Sequence, residues 1–230
     1  MALASPPDEG RGTVRRAPTW HPLRDVGVIA ILRGEAATHV LPVANALAAG
    51  GLSMLEVSLT TPGALGAITG LRKEFPHLSV GAGTVRTGLD VTAALGAGAQ
   101  FLISPTSTPE LAEAVRAHAA IWIAGAATPT EIEGAWGMGA TAVKLFPIQQ
   151  LGGLAYVEAL RAPLPEIPFV PTGGIDFPDL GLYLRSGAVA VGLGSPLIRD
   201  ALTGGSLNDL KARAAAAFRI VTDFRSEVGG

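Results

Sequence analysis

The sequence predicts a single-domain (β/α)8 barrel, and three observations carry this prediction. Eight short apolar segments alternate with Ala-rich segments of helical spacing from residue 26 onward. The apolar segments are hydrophobic throughout, which is typical of parallel strands buried on both faces. The chain of 230 residues has the length of one α/β barrel domain. An open doubly wound sheet is the runner-up because it permits the same alternation, but a count of eight strands favours the barrel.

Each predicted strand consists mainly of Val, Ile, Leu, Ala, Gly or Phe. In chain order the strands are Val26–Leu32, Met54–Leu59, Ser79–Gly83, Phe101–Ser104, Ile121–Gly125, Ala142–Phe146, Phe169–Pro171 and Val189–Gly194. Barrel enzymes place their chemistry at the C-terminal ends of the strands, so polar residues at those ends become candidates. These residues are Arg33, Glu56, Thr84, Ser104, Lys144, Thr172 and Ser195.

The predicted helices lie between these strands and carry recognisable boundaries. Pro109 and Pro129 each stand at a first helical position, where the missing N–H is not needed. Gly50, Gly139 and Gly187 follow helical segments and stop them. The predicted helices are Val40–Ala49, Ala64–Glu74, Leu89–Leu95, Pro109–Ala117, Pro129–Met138, Leu154–Leu160, Pro178–Arg185 and a final helix at about Leu207–Val221.

The composition excludes several classes of protein. A net charge of −2 gives no electrostatic case for binding nucleic acid or an anionic membrane. No apolar run reaches the roughly 18–20 residues that span a bilayer. The absence of cysteine excludes disulfides, thiolate metal sites and cysteine nucleophiles. Residues 1–22, rich in Pro, Gly and charge, are expected to form a flexible extension before a barrel domain at 23–230. A cytoplasmic enzyme fits these features best.

Lys144 is the most informative residue because it interrupts an otherwise apolar strand that ends at Pro147. Burial disfavours the charged form of an amine, and a neutral amine is a nucleophile that forms Schiff bases with carbonyl substrates. The only other lysines, Lys73 and Lys211, lie in polar helical segments. The alternative is that the Lys144 amine reaches the barrel rim and forms an ordinary ion pair.

Glu56 is the second charge inside a predicted strand, and closure of a barrel can place it opposite Lys144. A carboxylate beside an iminium can move protons as general acid and base. The alternative is a purely structural Lys–Glu pair, which would be costly to break but would have no chemistry.

Anion-binding features follow other strands. Arg33 ends strand one, and its planar guanidinium suits a carboxylate or phosphate, although a rim salt bridge explains it equally well. Thr84 follows a Gly-containing strand that lets a ligand approach the backbone. Thr172–Gly174 and Gly192–Ser195 follow strands seven and eight, where barrels commonly bind phosphate.

No catalytic metal is expected. The four histidines, His21, His39, His77 and His118, have no metal-ligand spacing, and no cluster of Asp and Glu forms a site for a hard cation. The chain also has no nucleophile elbow and no dinucleotide-binding glycine loop after a strand.

At these residues the chain resembles the class I aldolases that cleave 2-keto-3-deoxy-6-phosphogluconate (KDPG). The resemblance extends to their phosphogalactonate and 4-hydroxy-2-oxoglutarate (KHG) relatives. It implies a compact TIM barrel, usually a homotrimer, with no cofactor. The matching segments occur in the family's order over about residues 24–225. They are Val28–Gly34, Leu55–Thr60, Val80–Val85, Ile103–Pro105, Val143–Pro147, Pro171–Gly174 and Gly192–Ser195.

The resemblance implies a role for each candidate. Lys144 would form the Schiff base and Glu56 would be the general acid and base. Arg33 and Thr84 would bind the pyruvyl carboxylate, while Phe146 and Pro105 would wall the pocket. The phosphorylated aldehyde end of the substrate would lie against Thr172, Gly173, Gly174, Gly194 and Ser195.

Two positions depart from the family's pattern. Some members have Arg where this chain has Thr60, and those with Thr or Asn there tend to carry the strand-one arginine, here Arg33. Many members have a small residue and Glu where this chain has Ile148 and Gln149. The second departure bears on substrate preference more than on reaction type.

The expected reaction is cleavage of KDPG to pyruvate and glyceraldehyde 3-phosphate, with KHG as a further substrate that would give pyruvate and glyoxylate. One alternative is the phosphogalactonate substrate, which differs in stereochemistry at C4. Another is a non-catalytic sugar-phosphate-binding barrel in which Lys144 and Glu56 form a structural pair. A phosphate-binding isomerase or synthase would need another acid or base at a strand end, and the sequence offers none that convinces.

Overall fold

The computed structural model describes residues 22–228, so the predicted extension, apart from Pro22, lies outside the described residues. Eight parallel strands form one sheet in the order β7-β6-β5-β4-β3-β2-β1-β8. The strands are β1 Gly27–Leu32, β2 Met54–Ser58, β3 Ser79–Gly83, β4 Leu102–Ile103, β5 Trp122–Ala126, β6 Ala142–Leu145, β7 Phe169–Pro171 and β8 Ala190–Leu193.

The sheet closes on itself between β7 and β8. Thr172 and Gly192 form a parallel bridge, and the Val189 N–H donates to the Phe169 carbonyl at 3.0 Å. Neighbouring strands otherwise follow chain order, as in a barrel. The structure is therefore a single-domain (β/α)8 barrel, and the open doubly wound alternative is wrong.

A helix follows each strand, and three short elements add to this pattern. The helices between strands are α2 Val40–Ala49, α3 Ala64–Glu74, α4 Gly88–Gly96, α5 Pro109–Ala117, α6 Pro129–Gly137, α7 Gly153–Arg161 and α8 Phe177–Arg185. The final helix is α10 Leu207–Val228. The short elements are α1 Pro22–Val26, α9 Ser195–Ile198 and a 3-10 turn, Ala201–Thr203.

The predicted boundaries agree with these bounds to within one or two residues except at the two ends. Val26, the predicted first residue of strand one, is instead the last residue of α1, and Gly27 then turns the chain with φ of 67°. A side chain on Gly27 would also collide with Val221 of α10. The last helix extends seven residues beyond its predicted end at Val221. The short helices α1 and α9 escaped prediction because four or five residues do not establish a helical period.

Two apolar layers position the site. The larger layer packs the helices against the outer face of the sheet. The smaller fills the barrel near the N-terminal ends of the strands, where Leu23 of α1 packs against interior side chains. These interior residues are Ile29, Met54, Phe101, Ile103, Ile123, Ala142, Val170 and Ala190. Since this end of the barrel is filled, the opposite end is left for binding and chemistry.

Threonine caps begin the outer helices α5 and α6. Thr108 and Thr128 accept hydrogen bonds from the N–H groups of Leu111 and Glu131, which agrees with the predicted starts of α5 and α6. The Glu131 carboxylate in turn accepts a hydrogen bond from the Thr128 N–H at 2.9 Å, which completes a capping box. These bonds hold α6 at the end of β5, next to the strand that carries Lys144.

Candidate active site

Lys144 lies inside the barrel near the C-terminal end of β6. The alternation of a strand directs Ala142 and Lys144 inward, while Val143 and Leu145 pack outward in the larger core layer. Lys144 is only 5% exposed. Its amine lies 5.3 Å from the centre of the Phe146 ring, a distance at which a cation and an aromatic face attract.

Glu56 faces Lys144 across the barrel from β2. The distance between Lys144 Nζ and Glu56 Oε1 is 4.0 Å, and Glu56 is 1% exposed. This separation is longer than a hydrogen bond. Among the described residues, Oε1 has no hydrogen-bond partner. A buried carboxylate oxygen left in this way is costly for stability, so its position calls for a functional explanation.

Arg33 is held over the mouth of the barrel by hydroxyl groups. Its Nε donates to Ser58 Oγ at 3.2 Å and its Nη2 donates to Thr84 Oγ1 at 2.9 Å. Ser58 Oγ also lies 2.8 Å from Thr84 Oγ1 and 2.9 Å from Thr60 Oγ1. The described residues provide no carboxylate within ion-pair distance of Arg33, so its charge is available to an anion from outside.

Thr84 adopts a conformation that β-branched residues rarely take. Its φ is 58°, in the left-handed region, directly after β3. Such a residue costs stability unless its surroundings hold it there, and it often marks a binding site. In this structure the conformation brings the Thr84 hydroxyl to both Arg33 and Ser58.

A cavity of about 400 Å³ opens at the C-terminal ends of β6, β7, β8 and β1. Eight of the eleven predicted site residues line it: Arg33, Lys144, Phe146, Thr172, Gly173, Gly174, Gly194 and Ser195. Glu56 and Thr84 do not line it directly, but they contact Lys144 and Arg33, which do. The cavity is large enough for a small-molecule substrate.

The loop after β7 forms the glycine-rich part of this cavity. Gly173 and Gly174 have φ of 101° and 81°, values that side chains strongly disfavour. Phe146 packs behind Gly173 and Gln149 behind Gly174, so added side chains would be strained and crowded there. Successive backbone N–H groups in such turns form concave anion sites. The neighbouring α9 begins at Ser195 on the same cavity.

Three further residues need separate description. Pro105 does not line the cavity; its backbone carbonyl packs against Gly125, the β5 neighbour of Lys144. Ser104, one of the polar strand-end residues, is buried and accepts a hydrogen bond from the Trp122 indole at 2.8 Å. Thr172 donates to the Val170 carbonyl at 3.3 Å, and its hydroxyl fills the space above Gly192.

Sequence reasoning missed two polar residues of the site. Ser58 links Arg33, Thr60 and Thr84, and its position two residues after Glu56 on the same strand was the available signal. Arg199 lines the cavity immediately after α9, with φ of 49°. No sequence signal marked it, because α9 was not predicted.

The described chain, residues 22–228, contains no group of three or more His, Asp or Glu side chains arranged to hold a metal ion. Likewise, none of the helices in that range has the length and apolar character needed to cross a membrane.

Fold and site together define a class of protein. A buried amine beside a buried carboxylate, below an open cavity edged by arginine and glycine loops, equips a barrel enzyme for a small anionic carbonyl compound. The chain belongs to the KDPG and KHG aldolase family, whose model matches residues 21–212.

Known relatives agree with this assignment. The chain is 39% identical to the 2-dehydro-3-deoxy-phosphogluconate aldolase of Pseudomonas aeruginosa over 161 residues, which covers 70% of this chain and 73% of the relative. It is 35% identical to the KHG/KDPG aldolase of Escherichia coli strain K12 over 191 residues, covering 83% and 90%. The crystal structure of KDPG aldolase from Legionella pneumophila, with pyruvate captured as a covalent carbinolamine intermediate, is similar with a TM-score of 0.80. That structure is 34% identical, and the match covers 85% of this chain and 95% of the other.

Proposed function

We propose that this protein is a class I aldolase that cleaves KDPG to pyruvate and glyceraldehyde 3-phosphate through a Schiff base on Lys144. One observation carries the proposal: the Lys144 amine is buried at the base of an open cavity, 4.0 Å from Glu56 Oε1, an oxygen that has no hydrogen-bond partner among the described residues. Lys73 and Lys211 are both exposed on helices, so neither has such surroundings.

The reaction begins with attack of the neutral Lys144 amine on the C2 ketone. The resulting carbinolamine loses water to give an iminium, which accepts the electron pair of the C3–C4 bond as that bond breaks. The C4 hydroxyl loses its proton and leaves as the aldehyde of glyceraldehyde 3-phosphate. The remaining enamine takes a proton at C3, and water then hydrolyses the iminium to pyruvate and regenerates the amine.

Glu56 transfers protons in these steps. Its carboxylate lies beside the amine and can remove protons from the carbinolamine and the C4 hydroxyl and return one to C3, directly or through water.

The two ends of the substrate bind to different groups. Arg33 and Thr84 bind the carboxylate, since together they provide a cation and a hydroxyl without a competing acid among the described residues. The phosphate binds at Gly173–Gly174 and Gly194–Ser195, beside Thr172. Phe146, with its ring against the Lys144 amine and behind Gly173, forms the wall between the two ends.

The test is covalent trapping. Pyruvate and borohydride should convert the iminium to a stable amine adduct, and peptide mass spectrometry should locate that adduct on Lys144. Lys144→Met should give no adduct, whereas the control Lys73→Met should give as much as the parent. An adduct elsewhere, or none in the parent, would refute the proposal. A non-catalytic sugar-phosphate binder would bind phosphorylated ligands without any adduct.

Proton transfer has its own test. Exchange of the pyruvate methyl protons in deuterated water should fall by about a hundredfold or more in Glu56→Gln, the scale of general acid–base catalysis. The same variant should still be trapped by borohydride at Lys144. Undiminished exchange would make Glu56 a structural partner only.

Substrate preference is tested by kinetics on KDPG, its phosphogalactonate C4 epimer and KHG side by side. KHG is a second candidate substrate because a relative 35% identical to this chain is named KHG/KDPG aldolase. We also propose, on the family resemblance, a cytoplasmic homotrimer built of one barrel domain at residues 23–230. Light scattering should then give three times the 23.3 kDa mass of one chain.

A further inference from the structure

The hydroxyl groups around Arg33 form a closed arrangement whose protons can be counted. Ser58 Oγ has three hydrogen-bond neighbours: Arg33 Nε at 3.2 Å, Thr84 Oγ1 at 2.8 Å and Thr60 Oγ1 at 2.9 Å. A serine hydroxyl has one proton and two lone pairs. Because Arg33 can only donate, Ser58 must accept from one threonine and donate to the other.

The two possible directions leave Thr84 in different states. If Ser58 donates to Thr60, the Thr84 proton is used in a bond to Ser58. If Ser58 donates to Thr84, both lone pairs of Thr84 are filled, one by Ser58 and one by Arg33 at 2.9 Å. In that second state the Thr84 proton has no acceptor within the network and is free for a ligand.

We propose that Ser58 and Thr60 are positioning residues. They keep the hydrogen bonds of the hydroxyl groups in the second direction and so make Thr84 a donor to the carboxylate of the substrate. Bonds then run from Thr60 to Ser58, from Ser58 to Thr84 and from Thr84 to the ligand. The inference rests on the proposed function, because a carboxylate only accepts hydrogen bonds and therefore selects the direction that frees the Thr84 proton. Each bond in such a chain polarises the next, which strengthens the last donor.

Burial and backbone geometry support this role. Ser58 is fully buried on β2, two residues beyond Glu56, so its hydroxyl is shielded from competing solvent. Thr84 is held at φ of 58°, an unfavourable value for a β-branched residue, and this conformation places its hydroxyl against Ser58 and Arg33. Arg33 retains three more N–H donors beyond the two that the hydroxyls accept. The result is a subsite for a planar carboxylate next to the Lys144–Glu56 pair.

The test uses oxamate, a pyruvate isostere whose amide carbonyl does not condense with an amine. Its dissociation constant, measured by calorimetry, reports the carboxylate subsite without Schiff-base chemistry. We expect Ser58→Ala to weaken binding about tenfold or more and Thr60→Val about threefold to tenfold, the scale of single hydrogen bonds near a charge. Thr60→Ser keeps the hydroxyl and should bind within about twofold of the parent. Thr92→Val, which removes a hydroxyl from the remote helix α4, should also bind oxamate within about twofold of the parent.

A parallel measurement separates this inference from the proposed function. The pyruvate concentration that gives half-maximal borohydride trapping on Lys144 should rise in Ser58→Ala and Thr60→Val, with the final extent of trapping unchanged. Oxamate binding that depends on Ser58 and Thr60, in a parent that traps no pyruvate, would refute the Schiff-base proposal and uphold the hydroxyl chain.

Three results would overturn the hydroxyl chain itself. They are a parent that binds no oxamate, a Thr60→Val variant that binds oxamate like the parent, and a Thr60→Ser variant as weak as Thr60→Val.

Discussion

Gly83 makes room for the Glu56 carboxylate. A β-carbon built on Gly83 would overlap Oε1 and the carboxyl carbon of Glu56, so the neighbouring strand β3 can carry no side chain at this point. The hydrogen-bonded register places Gly83 opposite Ser58, two residues beyond Glu56. The position of the carboxylate near Lys144 is therefore set partly by a residue that has no side chain.

Gly83→Ala is expected to displace the Glu56 carboxylate and lower kcat for aldol cleavage by about a hundredfold, the cost of misplacing a reacting group by about 1 Å. Gly134→Ala is the matched control. Gly134 lies inside α6, and a β-carbon there would meet no atom within 4 Å. The control should keep full activity and gain about 0.5–1 kcal/mol in free energy of unfolding. Equal activity of both variants in steady-state kinetics would contradict the assigned role of Gly83.

The barrel and most of the site were predictable because they depend on local patterns. Strand alternation and the β/α rhythm place Lys144, Glu56 and the glycine loops at one end of the barrel. What the sequence could not provide was contact between distant segments. Nothing in the sequence around Ser58 indicates its hydrogen bonds to Arg33 and Thr84, because these residues reach it from other parts of the barrel only in the folded structure. Arg199 depends on a four-residue helix that leaves no periodic signal.

Ser104 shows the opposite case, a polar strand-end residue whose hydroxyl stabilises the fold. It accepts the buried Trp122 indole N–H at 2.8 Å, away from the cavity. Ser104→Ala leaves that donor without a partner, so we expect the free energy of unfolding to fall by about 1–3 kcal/mol with activity retained.

Urea titration monitored by tryptophan fluorescence measures the loss in Ser104→Ala. The double variant Ser104→Ala with Trp122→Phe completes a mutant cycle. Its loss should be smaller than the sum of the single losses, because removing both partners leaves no unsatisfied donor. Strict additivity would show that the bond contributes nothing.

Glu131 makes the stability of α6 depend on pH. Hydrogen bonds from the Ala127 and Thr128 N–H groups lower the pKa of Glu131 from its ordinary value of 4.5. A carboxyl group with a lowered pKa in the folded state stabilises the fold above its unfolded pKa, and this contribution disappears as the pH falls through the folded pKa.

Glu131→Gln should therefore be less stable than the parent near pH 7 by only a few tenths of a kcal/mol, since the group is exposed and screened. The difference should shrink as the pH falls through the folded pKa of Glu131, because protonation removes the charge that the N–H groups stabilise. Urea midpoints measured over a series of falling pH values follow this convergence. Glu133→Gln, an exposed change on the same helix outside the capping box, should show no such convergence. A deficit in Glu131→Gln that persists at low pH would contradict the electrostatic origin.

Gly174 provides a way to separate phosphate binding from chemistry at Lys144. Its φ is 81°, and a β-carbon would come within 2.6 Å of Gln149 Cγ, so Gly174→Ala should distort the anion-binding turn. We expect kcat/KM for KDPG to fall by about a hundredfold, comparable to losing a charge-assisted hydrogen bond or two. Exchange of pyruvate methyl protons needs no phosphate and should stay within about twofold of the parent.

The control for Gly174→Ala is Gly204→Ala, which carries a similar backbone penalty with φ of 96° but no atom within 4 Å of the added carbon. Gly204→Ala should cost about 1–2 kcal/mol in free energy of unfolding and leave both reactions unchanged. Parallel loss of exchange and cleavage in Gly174→Ala would mean that the turn supports the whole site. If Gly174→Ala retained both exchange and cleavage in full, the phosphate would have to bind at another site. A strained and crowded turn could not still present its N–H groups to the substrate.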